Sequence, residues 1–487
     1  MQLKLKDNTL RPAPFPGGGS LFVWQLSKII QLYDDPSFLT KSSGNLAKVL
    51  LDIKLHFVLS LTIASMWERM RKMNAVKKIY CRIFQLGMRI ALPFLPYREP
   101  KLIEGVGGVP QVLREHHIDC VMLVTDAGVH GLGLTAHLEE ELKAANIRCV
   151  VYDGTVANPT VANVEQARML YLENSCQGLI AFGGGSSMDC AKAVGARIVR
   201  PKKPLAKMEG LLHVMHRLPL LIAVPTTAGT GSETTLAAVI TDEKIHHKYP
   251  INDFSLIPHY AVLDPDVTLN LPRQLTATTG MDALTHAVEA YIGRSTTKGT
   301  RAAAIEAVQL IFANLPEAYY NGHNREARAN MLRAAYLAGT AFTKSYVGYV
   351  HAVAHSLGGR YGIAHGLANS VLLPVVLKAY GSTAWKKLAE LARASGVSQS
   401  TSDEEAAKAF IDYIDAMNAA MDIPETLPGI RTEDIPQLAR YADHEANPLY
   451  PVPVLWGPDQ LEEMYKQVQE VSTHDGNGNS NHSQTAA

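Results

Sequence analysis

The pattern of apolar and polar positions separates the middle of the chain, residues 97–272, from what surrounds it. Short aliphatic runs here alternate with stretches of helical periodicity, such as Leu134–Ala145 and Val161–Glu173. The aliphatic runs are Cys120–Thr125, Arg148–Tyr152, Gly178–Phe182 and Leu220–Val224. Uninterrupted runs of this kind suit strands that are buried on both faces of a parallel sheet. The pattern therefore predicts an α/β domain, with ligands at the carboxyl ends of its strands.

The strand signal fades in residues 273–471, where helical periodicity dominates. The segments that carry it are Thr276–Ile292, Thr300–Ala318, Glu326–Thr340, Val350–Gly358 and Trp385–Ala394. We therefore predict a helical second domain. The tail that follows, residues 472–487, is polar and rich in Gly, Asn and Ser, and we expect it to be disordered.

Residues 1–96 are predicted to form a helical extension. In residues 66–97, basic side chains alternate with apolar ones at roughly helical spacing. Such a helix can pack on its own protein or on another subunit, and it can also lie on an anionic membrane surface. The pattern leaves these alternatives open. The apolar run Phe57–Met66 falls short of the length that spans a bilayer.

Composition narrows the class of protein. Lys and Arg together number 46, as do Asp and Glu, so no overall charge attracts nucleic acid. The five cysteines form no CxxC pair, which argues against a disulfide framework and favours a reducing cytoplasm. The first twenty residues lack the compact apolar core of a secretory signal. We expect a globular cytoplasmic protein.

Two glycine-rich segments follow predicted strands. Residues 178–192, GLIAFGGGSSMDCAK, lead from a buried strand into a helical pattern. Backbone N–H groups at the start of such a helix attract a diphosphate, although an ordinary tight turn has the same pattern. Residues 225–233, PTTAGTGSE, place four hydroxyl groups directly after another strand. Two such loops on one sheet indicate a nucleotide more strongly than either does alone.

One aspartate and several histidines are spaced for a shared metal ion. Asp282 and His286 are four residues apart, as are His351 and His355, so each pair shares one face of a helix. His365 follows in a glycine-flanked turn that can fold back. A carboxylate with imidazoles accepts Fe(II) or Zn(II), and ligand type alone does not choose between them. By itself, the pair Asp282 and His286 is more often a solvated or capping arrangement.

These segments together resemble the iron-containing (group III) alcohol dehydrogenases. GGGSSMDCAK, PTTAGTGSE, GMDALTHAVEAY and HAVAHSLGG-RYGIAHG-LAN occur in that family's order and spacing, within residues 101–468. The resemblance implies an N-terminal nucleotide-binding α/β domain, an all-α C-terminal domain and an active site in the cleft between them. It says nothing about the first 96 residues.

The resemblance also implies roles for the metal-site residues. The metal ligands would be Asp282, His286, His351 and His365, with iron favoured and zinc allowed. His355 would lie beside the nicotinamide and the substrate, not on the metal.

The cofactor implied by the resemblance is NAD. Its diphosphate would contact Gly184, Gly185 and Ser186. Other parts of NAD would meet Asn158, Thr226, Thr227, Thr230 and Lys248. Asp126 would lie beside the adenosine ribose, where a carboxylate repels a 2′-phosphate and favours NAD(H) over NADP(H). The family often has a polar residue at the position of Ala237, so we expect one cofactor contact to be missing.

The expected activity is metal-dependent hydride transfer between NAD(H) and a primary alcohol or aldehyde. His355 could relay the hydroxyl proton or simply line the pocket. One alternative is a metal-dependent lyase or cyclase of the dehydroquinate synthase type, which would need basic residues around the pocket, where Arg360 is the closest to the ligands. Another is a membrane-surface scaffold. The expected partners are a small alcohol or aldehyde and further copies of the chain in a homo-oligomer, with no nucleic acid.

Overall fold

The computed structural model describes residues 75–244 and 247–470. The part of the predicted extension from residue 1 to residue 74 lies outside these residues, and so does the predicted disordered tail. All described residues fall within one of the two units into which the chain divides, Arg71–Ala487. In the part of the chain that the structure describes, no helix has the length and apolar character needed to cross a membrane.

The first half of the described chain is built on a six-stranded sheet. Its strands are β1 (Lys101–Ile103), β2 (Cys120–Asp126), β3 (Arg148–Thr155), β4 (Gly178–Gly183), β6 (Leu220–Pro225) and β9 (Tyr260–Val262). They lie in the order β1-β9-β6-β4-β2-β3, and every neighbouring pair is parallel. The four predicted strands are confirmed, and each runs slightly further at its carboxyl end.

A smaller sheet was not predicted. It consists of β5 (Gly210–Leu211), β7 (Ala237–Asp242) and β8 (His247–Asn252), in the order β5-β8-β7. Tyr249 and Ile251 are the buried positions of β8, and Pro250 lies between them. Two alternating positions around a proline are too weak a signal to identify a strand.

Helices cover both faces of the large sheet. They are α2 (Val109–Glu115), α3 (Ala127–Gly131), α4 (Ala136–Ala144), α5 (Val161–Glu173) and α6 (Gly185–Val199). Alternate side chains of β2 enter opposite cores: Met122 and Val124 pack in one apolar cluster, Val121 and Leu123 in another. The continuous apolar runs of the sequence thus reflect burial on both faces of the sheet.

The second half is helical. Its elements are α7 (Arg273–Ile292), α8 (Lys298–Tyr320), α9 (Arg325–Ser345), α10 (Tyr349–Tyr361), α11 (His365–Tyr380), α12 (Ser382–Ala394), α13 (Asp403–Ala420), α14 (Ile435–Ala446) and α15 (Pro458–Val468), and α1 (Ala75–Ala91) precedes the sheet. The five predicted helices are confirmed. The helix α7 is buried from Thr276 to Ile292 along most of its surface, so side chains on several of its faces meet neighbouring helices.

Candidate metal and nucleotide site

The four predicted metal ligands come together between three helices. Asp282 and His286 lie one turn apart on α7, His351 lies on α10, and His365 is the first residue of α11. One potential ligand atom from each of these residues lies within 4.8 Å of the other three. Oδ1 of Asp282 is 4.0 Å from Nε2 of His351 and 3.5 Å from Nε2 of His365. The four potential ligand atoms are therefore close enough together to bind one cation.

The chemistry of these donors fits a divalent cation. Nε2 of His351 is buried and has no hydrogen-bond partner among the described residues. Such an atom costs about 1–3 kcal/mol, and ligation by a cation would remove that cost. Burial lowers the pKa of His365 to about 4 and, together with the neighbouring imidazoles, lowers that of His351. Both rings are therefore neutral near pH 7, which is the form that ligates metals.

A carboxylate that the sequence analysis missed orients His351. Glu289 accepts hydrogen bonds from the backbone N–H groups of Gly348 and Val350, both at 2.8 Å, and lies 2.6 Å from Nδ1 of His351. With its proton on Nδ1 toward Glu289, the ring presents Nε2 to Asp282. A signal did exist, because Asp282, His286 and Glu289 follow the i, i+4, i+7 spacing of one helix stripe.

The start of α11 is fitted closely against α7. A Cβ atom on Gly366 would lie 2.5 Å from the carbonyl oxygen of Thr278, so only glycine allows this approach. Asn369, one turn beyond His365, lies 2.6 Å from Oδ1 of Asp282 and 3.1 Å from Nε2 of His365. The expectation that His365 sits in a turn was wrong in detail: the turn ends at Ala364, and His365 begins the helix.

His355 lies beside the ligand cluster rather than in it. Its ring stacks on that of His365 at a centroid distance of 5.1 Å, and 41% of its side chain is exposed. Its Nδ1 lies 2.6 Å from Oε1 of Glu445, which also accepts a hydrogen bond from the hydroxyl of Tyr450 at 2.7 Å. Burial lowers the pKa of His355, but the charge and hydrogen bond of Glu445 outweigh it and raise the pKa overall. Glu445 lies ninety residues away on α14, where no local pattern reveals it.

The two glycine-rich loops form one cradle at the carboxyl ends of β4 and β6. These strands are neighbours, and the N–H of Thr226 donates to the carbonyl of Gly183 at 3.0 Å. Gly183 has a φ of +149°, and a Cβ there would lie 2.5 Å from Oγ of Ser187. The residue that precedes α6, Gly184, has no side chain to cap the helix, so the N–H groups of its first turn stay available to an anion.

The other predicted nucleotide residues surround this cradle. The side chains of Thr227 and Thr230 face Gly184 and Gly185, and Ser186 lies in the first turn of α6. Nζ of Lys248 donates to Oδ1 of Asn158 at 2.7 Å.

Asp126 has two interactions at the end of β2. Its Oδ1 accepts the N–H of Val129 at 2.9 Å and caps α3, while Oγ of Ser187 donates to Oδ2 at 3.4 Å. The second contact places the carboxylate next to the cradle.

A buried lysine fixes the second loop of the cradle. Lys192, on α6, donates to the carbonyl oxygens of Ser232, Thr235 and Ala237 at 2.7, 3.1 and 2.9 Å. It also donates to the hydroxyls of Ser232 and Thr235, both at 2.9 Å. The sequence analysis gave Lys192 no role, since it read as one polar position in a helical pattern.

Two protein-family profiles match the part of the chain that contains the candidate site. The profile described as iron-containing alcohol dehydrogenase matches residues 101–265, and that of the C-terminal part of the Fe-containing alcohol dehydrogenase family matches 276–468. Alcohol dehydrogenase 4 of Saccharomyces cerevisiae is 38% identical over 329 residues, which are 67% of this chain and 85% of that protein. The NAD-dependent methanol dehydrogenase of Bacillus methanolicus is 35% identical over 355 residues, 72% of this chain and 92% of that protein.

A solved structure extends the likeness to the fold. A 1,3-propanediol oxidoreductase superposes with a TM-score of 0.73 at 33% identity, covering 76% of this chain and 99% of that chain. Every candidate site residue named above, including Glu289 and Glu445, lies within the two profile matches. Residues 1–100 lie outside both matches.

Proposed function

We propose roles for individual residues of this chain from the premise that it belongs to the iron-containing alcohol dehydrogenase family. The chain is an oxidoreductase that acts on alcohols, and the family resemblance inferred from its sequence is confirmed. Its cofactors are iron and NAD, in line with the family and with its NAD-dependent relative. The lyase or cyclase alternative is not favoured by these matches.

The observation that carries the assignment is the convergence of the four ligand atoms within 4.8 Å. We assign Asp282, His286, His351 and His365 as the ligands of the metal. When bound, a divalent cation here supplies Lewis-acid polarisation of a substrate oxygen, and NAD(H) supplies the hydride exchange. Glu289 and Asn369 hold the rings and the carboxylate in place, as the partners of metal ligands generally do.

The chain's own groups then bind and orient the nucleotide. The first turn of α6 directs the N–H groups of Gly185 and Ser186 at the diphosphate, where the helix dipole adds to the attraction. The hydroxyls of Thr226, Thr227 and Thr230 supply further donors from the neighbouring loop. Lys248, which is paired with Asn158, is close enough to the ligand cluster for its charge to lower the pKa of both His355 and His365.

His355 is placed to move the hydroxyl proton. Because Nδ1 is held by Glu445, Nε2 is the nitrogen free to accept the proton of the alcohol during oxidation and to return it during reduction. The partial exposure of the side chain lets that proton exchange with solvent. We assign His355 as the proton-transfer residue and Glu445 as the residue that positions it.

We also propose a substrate class, a cofactor preference, an oligomeric state and a cellular location for this enzyme. The substrate is a primary alcohol or its aldehyde, as in the methanol dehydrogenase that this chain resembles. Asp126 favours NAD(H) over NADP(H). The enzyme works as a homo-oligomer in the cytoplasm.

The test compares a variant of one proposed ligand with a control variant of a histidine outside the site. His365→Ala removes a ligand, whereas His323→Ala changes an exposed histidine outside the site. We expect His365→Ala to lower metal content and the rate of NADH oxidation together, by more than the about 10–100-fold that losing a ligand's partner costs. His323→Ala should change neither. Metal is measured by elemental analysis, and the rate with aldehydes of graded chain length after loading with Fe(II) or Zn(II). Normal metal content and rate in His365→Ala would remove this residue from the site.

A further inference from the structure

The helix α1 presents an apolar stripe to solvent. Its buried positions, Cys81 and Gln85, lie on the side opposite to the stripe. The stripe consists of Val76, Ile79, Tyr80, Ile83, Leu86, Ile90 and, just beyond the helix, Phe94, which are between 56% and 84% exposed. These seven are among 18 exposed large hydrophobic side chains in the described residues, and the others are scattered over the rest of the fold. Such a concentration marks an interaction surface.

The opposite side of α1 is fastened to residues 443–453. Nε2 of Gln85 donates to the carbonyls of Pro448 and Tyr450 at 3.1 and 2.7 Å. Arg82 donates to the carbonyls that follow, those of Val452 and Pro453, at 2.9 and 3.0 Å. Lys77 forms an ion pair with Asp443 at 2.7 Å. The stripe is therefore preformed on a fixed helix, and a partner would not have to fold it.

The charged side chains of α1 itself have one sign. The helix carries four basic residues and no acidic one, and two of the basic residues, Lys78 and Arg89, are exposed. An apolar stripe with basic side chains beside it is complementary to a partner that has an apolar interior and anionic groups at its surface.

We propose that the apolar stripe of α1 docks on an anionic lipid bilayer, parallel to its plane. Amphipathic helices of this composition insert their apolar side chains at the boundary between headgroups and acyl chains, while basic side chains extend to the lipid phosphates. A second copy of the chain is a poorer occupant of the stripe. It would bring the same basic helix, whose lack of acidic side chains leaves the like charges unneutralised.

The experiment measures co-sedimentation of the full chain with phosphatidylcholine vesicles, with and without phosphatidylserine. The stripe variant, Ile79→Ser/Ile83→Ser, removes two apolar side chains from the stripe without changing the net charge. The border variant, Lys78→Glu/Arg89→Glu, replaces the two exposed basic side chains beside the stripe by acidic ones. The matched control, Met169→Ser/Leu172→Ser, removes two exposed apolar side chains from α5. We expect the wild type and the control to bind phosphatidylserine vesicles at about 0.1 M salt and to be released at about 1 M, where screening is stronger. The stripe variant should bind at least about tenfold more weakly, and the border variant should lose its preference for phosphatidylserine.

Three results would overturn the proposal. The first is no binding of the wild type to phosphatidylserine vesicles at low salt. The second is equal binding by the stripe variant and the wild type, with thermal unfolding showing that both are folded. The third is a sedimentation velocity result in which the wild type forms a dimer that the stripe variant loses, which assigns the surface to a second copy of the chain.

Discussion

At the scale of single residues, a buried carboxylate decides how the site can work. Glu289 is almost fully buried and receives three hydrogen bonds, one of them from His351. It fixes which nitrogen of His351 carries the proton, and thereby which nitrogen is left for the metal. In the proposed site, Asp282 and His286 would supply ligand atoms directly, whereas the orientation of His351 depends on Glu289, a third residue of the same helix as Asp282 and His286.

Replacing Glu289 tests this dependence. In Glu289→Gln, the amide keeps only one oxygen that can accept a hydrogen bond from the N–H groups of Gly348 and Val350. The NH₂ group that replaces the other oxygen is itself a donor, so it cannot accept the second hydrogen bond. We expect metal affinity to fall about 10–100-fold while the protein remains folded. The control is Glu390→Gln, which changes a glutamate that accepts a hydrogen bond from Tyr291. Competition with a chelator measures the affinity, and equal affinity in the two variants would contradict the role of Glu289.

Asp126 combines two roles that substitutions can separate. Its carboxylate caps α3 and also lies next to the cradle. Asp126→Asn keeps a side-chain oxygen for the cap and removes the charge, so we expect discrimination against NADPH to fall about tenfold or more at nearly unchanged stability. Asp126→Gly should relax the preference as well and also cost a few tenths of a kcal/mol. The measurement is the ratio of kcat/KM for NADH and NADPH. A ratio unchanged in both variants would leave Asp126 only the capping role.

At the scale of elements, predictability follows the strength of the local pattern. Strands such as β2 and β4 were predicted because burial on both faces leaves an uninterrupted apolar run. The same burial hid α11, whose sequence from His365 to Tyr380 is apolar on nearly all sides and contains Pro374, so no amphipathic period marks it. Local spacing placed Asp282 and His286 on one face of a helix, but the full set of four proposed metal ligands followed from the family resemblance and not from any local pattern. Glu445 could not be predicted, since only tertiary packing brings α14 to His355.

The contact between α6 and the loop after β6 is also tertiary, and it can be tested. Lys192→Met keeps the length of the side chain and removes the donor to five buried oxygens. We expect the free energy of unfolding to fall by about 3–5 kcal/mol, because several buried oxygens lose their hydrogen-bond donor, at about 1–3 kcal/mol for each oxygen left without a partner. The KM for NADH should rise while metal content stays normal, because the loop belongs to the cradle and not to the ligand cluster.

The control for this variant is an exposed lysine with one carbonyl contact. Lys203 donates to the carbonyl of His213 at 2.8 Å, and Lys203→Met should change stability by less than about 0.5 kcal/mol. Denaturant titrations of both variants give the comparison. If Lys192→Met lost metal in proportion to its loss of NADH binding, the loop would not act on the cradle alone.

At the scale of the whole molecule, the cradle and the helical half of the fold are joined by close backbone contact. Gly231, with a φ of +58°, lies in the loop after β6, and a Cβ there would be 2.7 Å from Cα of Gly339 on α9. The loop that contributes hydroxyls to the nucleotide thus rests directly on the helical half. In such a contact, the spacing between the loop and the helical half is set by backbone atoms, which are less adaptable than side chains.

The helix α1 lies outside the residues that the family profiles match, and it supports the helical half of the fold through hydrogen bonds. Lys77, Arg82 and Gln85 donate hydrogen bonds to residues 443–453, and this segment includes Glu445, which holds His355. The proposed metal ligands, by contrast, lie on α7, α10 and α11, as do their partners Glu289 and Asn369. Loss of α1 should therefore affect proton transfer and stability without affecting the metal.

A chain that begins at Arg98 tests this separation. We expect it to keep its metal content, because every ligand and ligand partner remains. The free energy of unfolding should fall by about 3–5 kcal/mol, at about 1 kcal/mol for each hydrogen bond lost with Gln85, Arg82 and Lys77. Its kcat should fall several-fold, since Glu445 is held less firmly. The control deletion ends at Met70 and so retains α1 with all of these bonds, and the difference between the two chains measures the contribution of residues 71–97, which contain the helix. Metal loss in the Arg98 chain alone would show that α1 supports the ligand helices themselves, contrary to this division of roles.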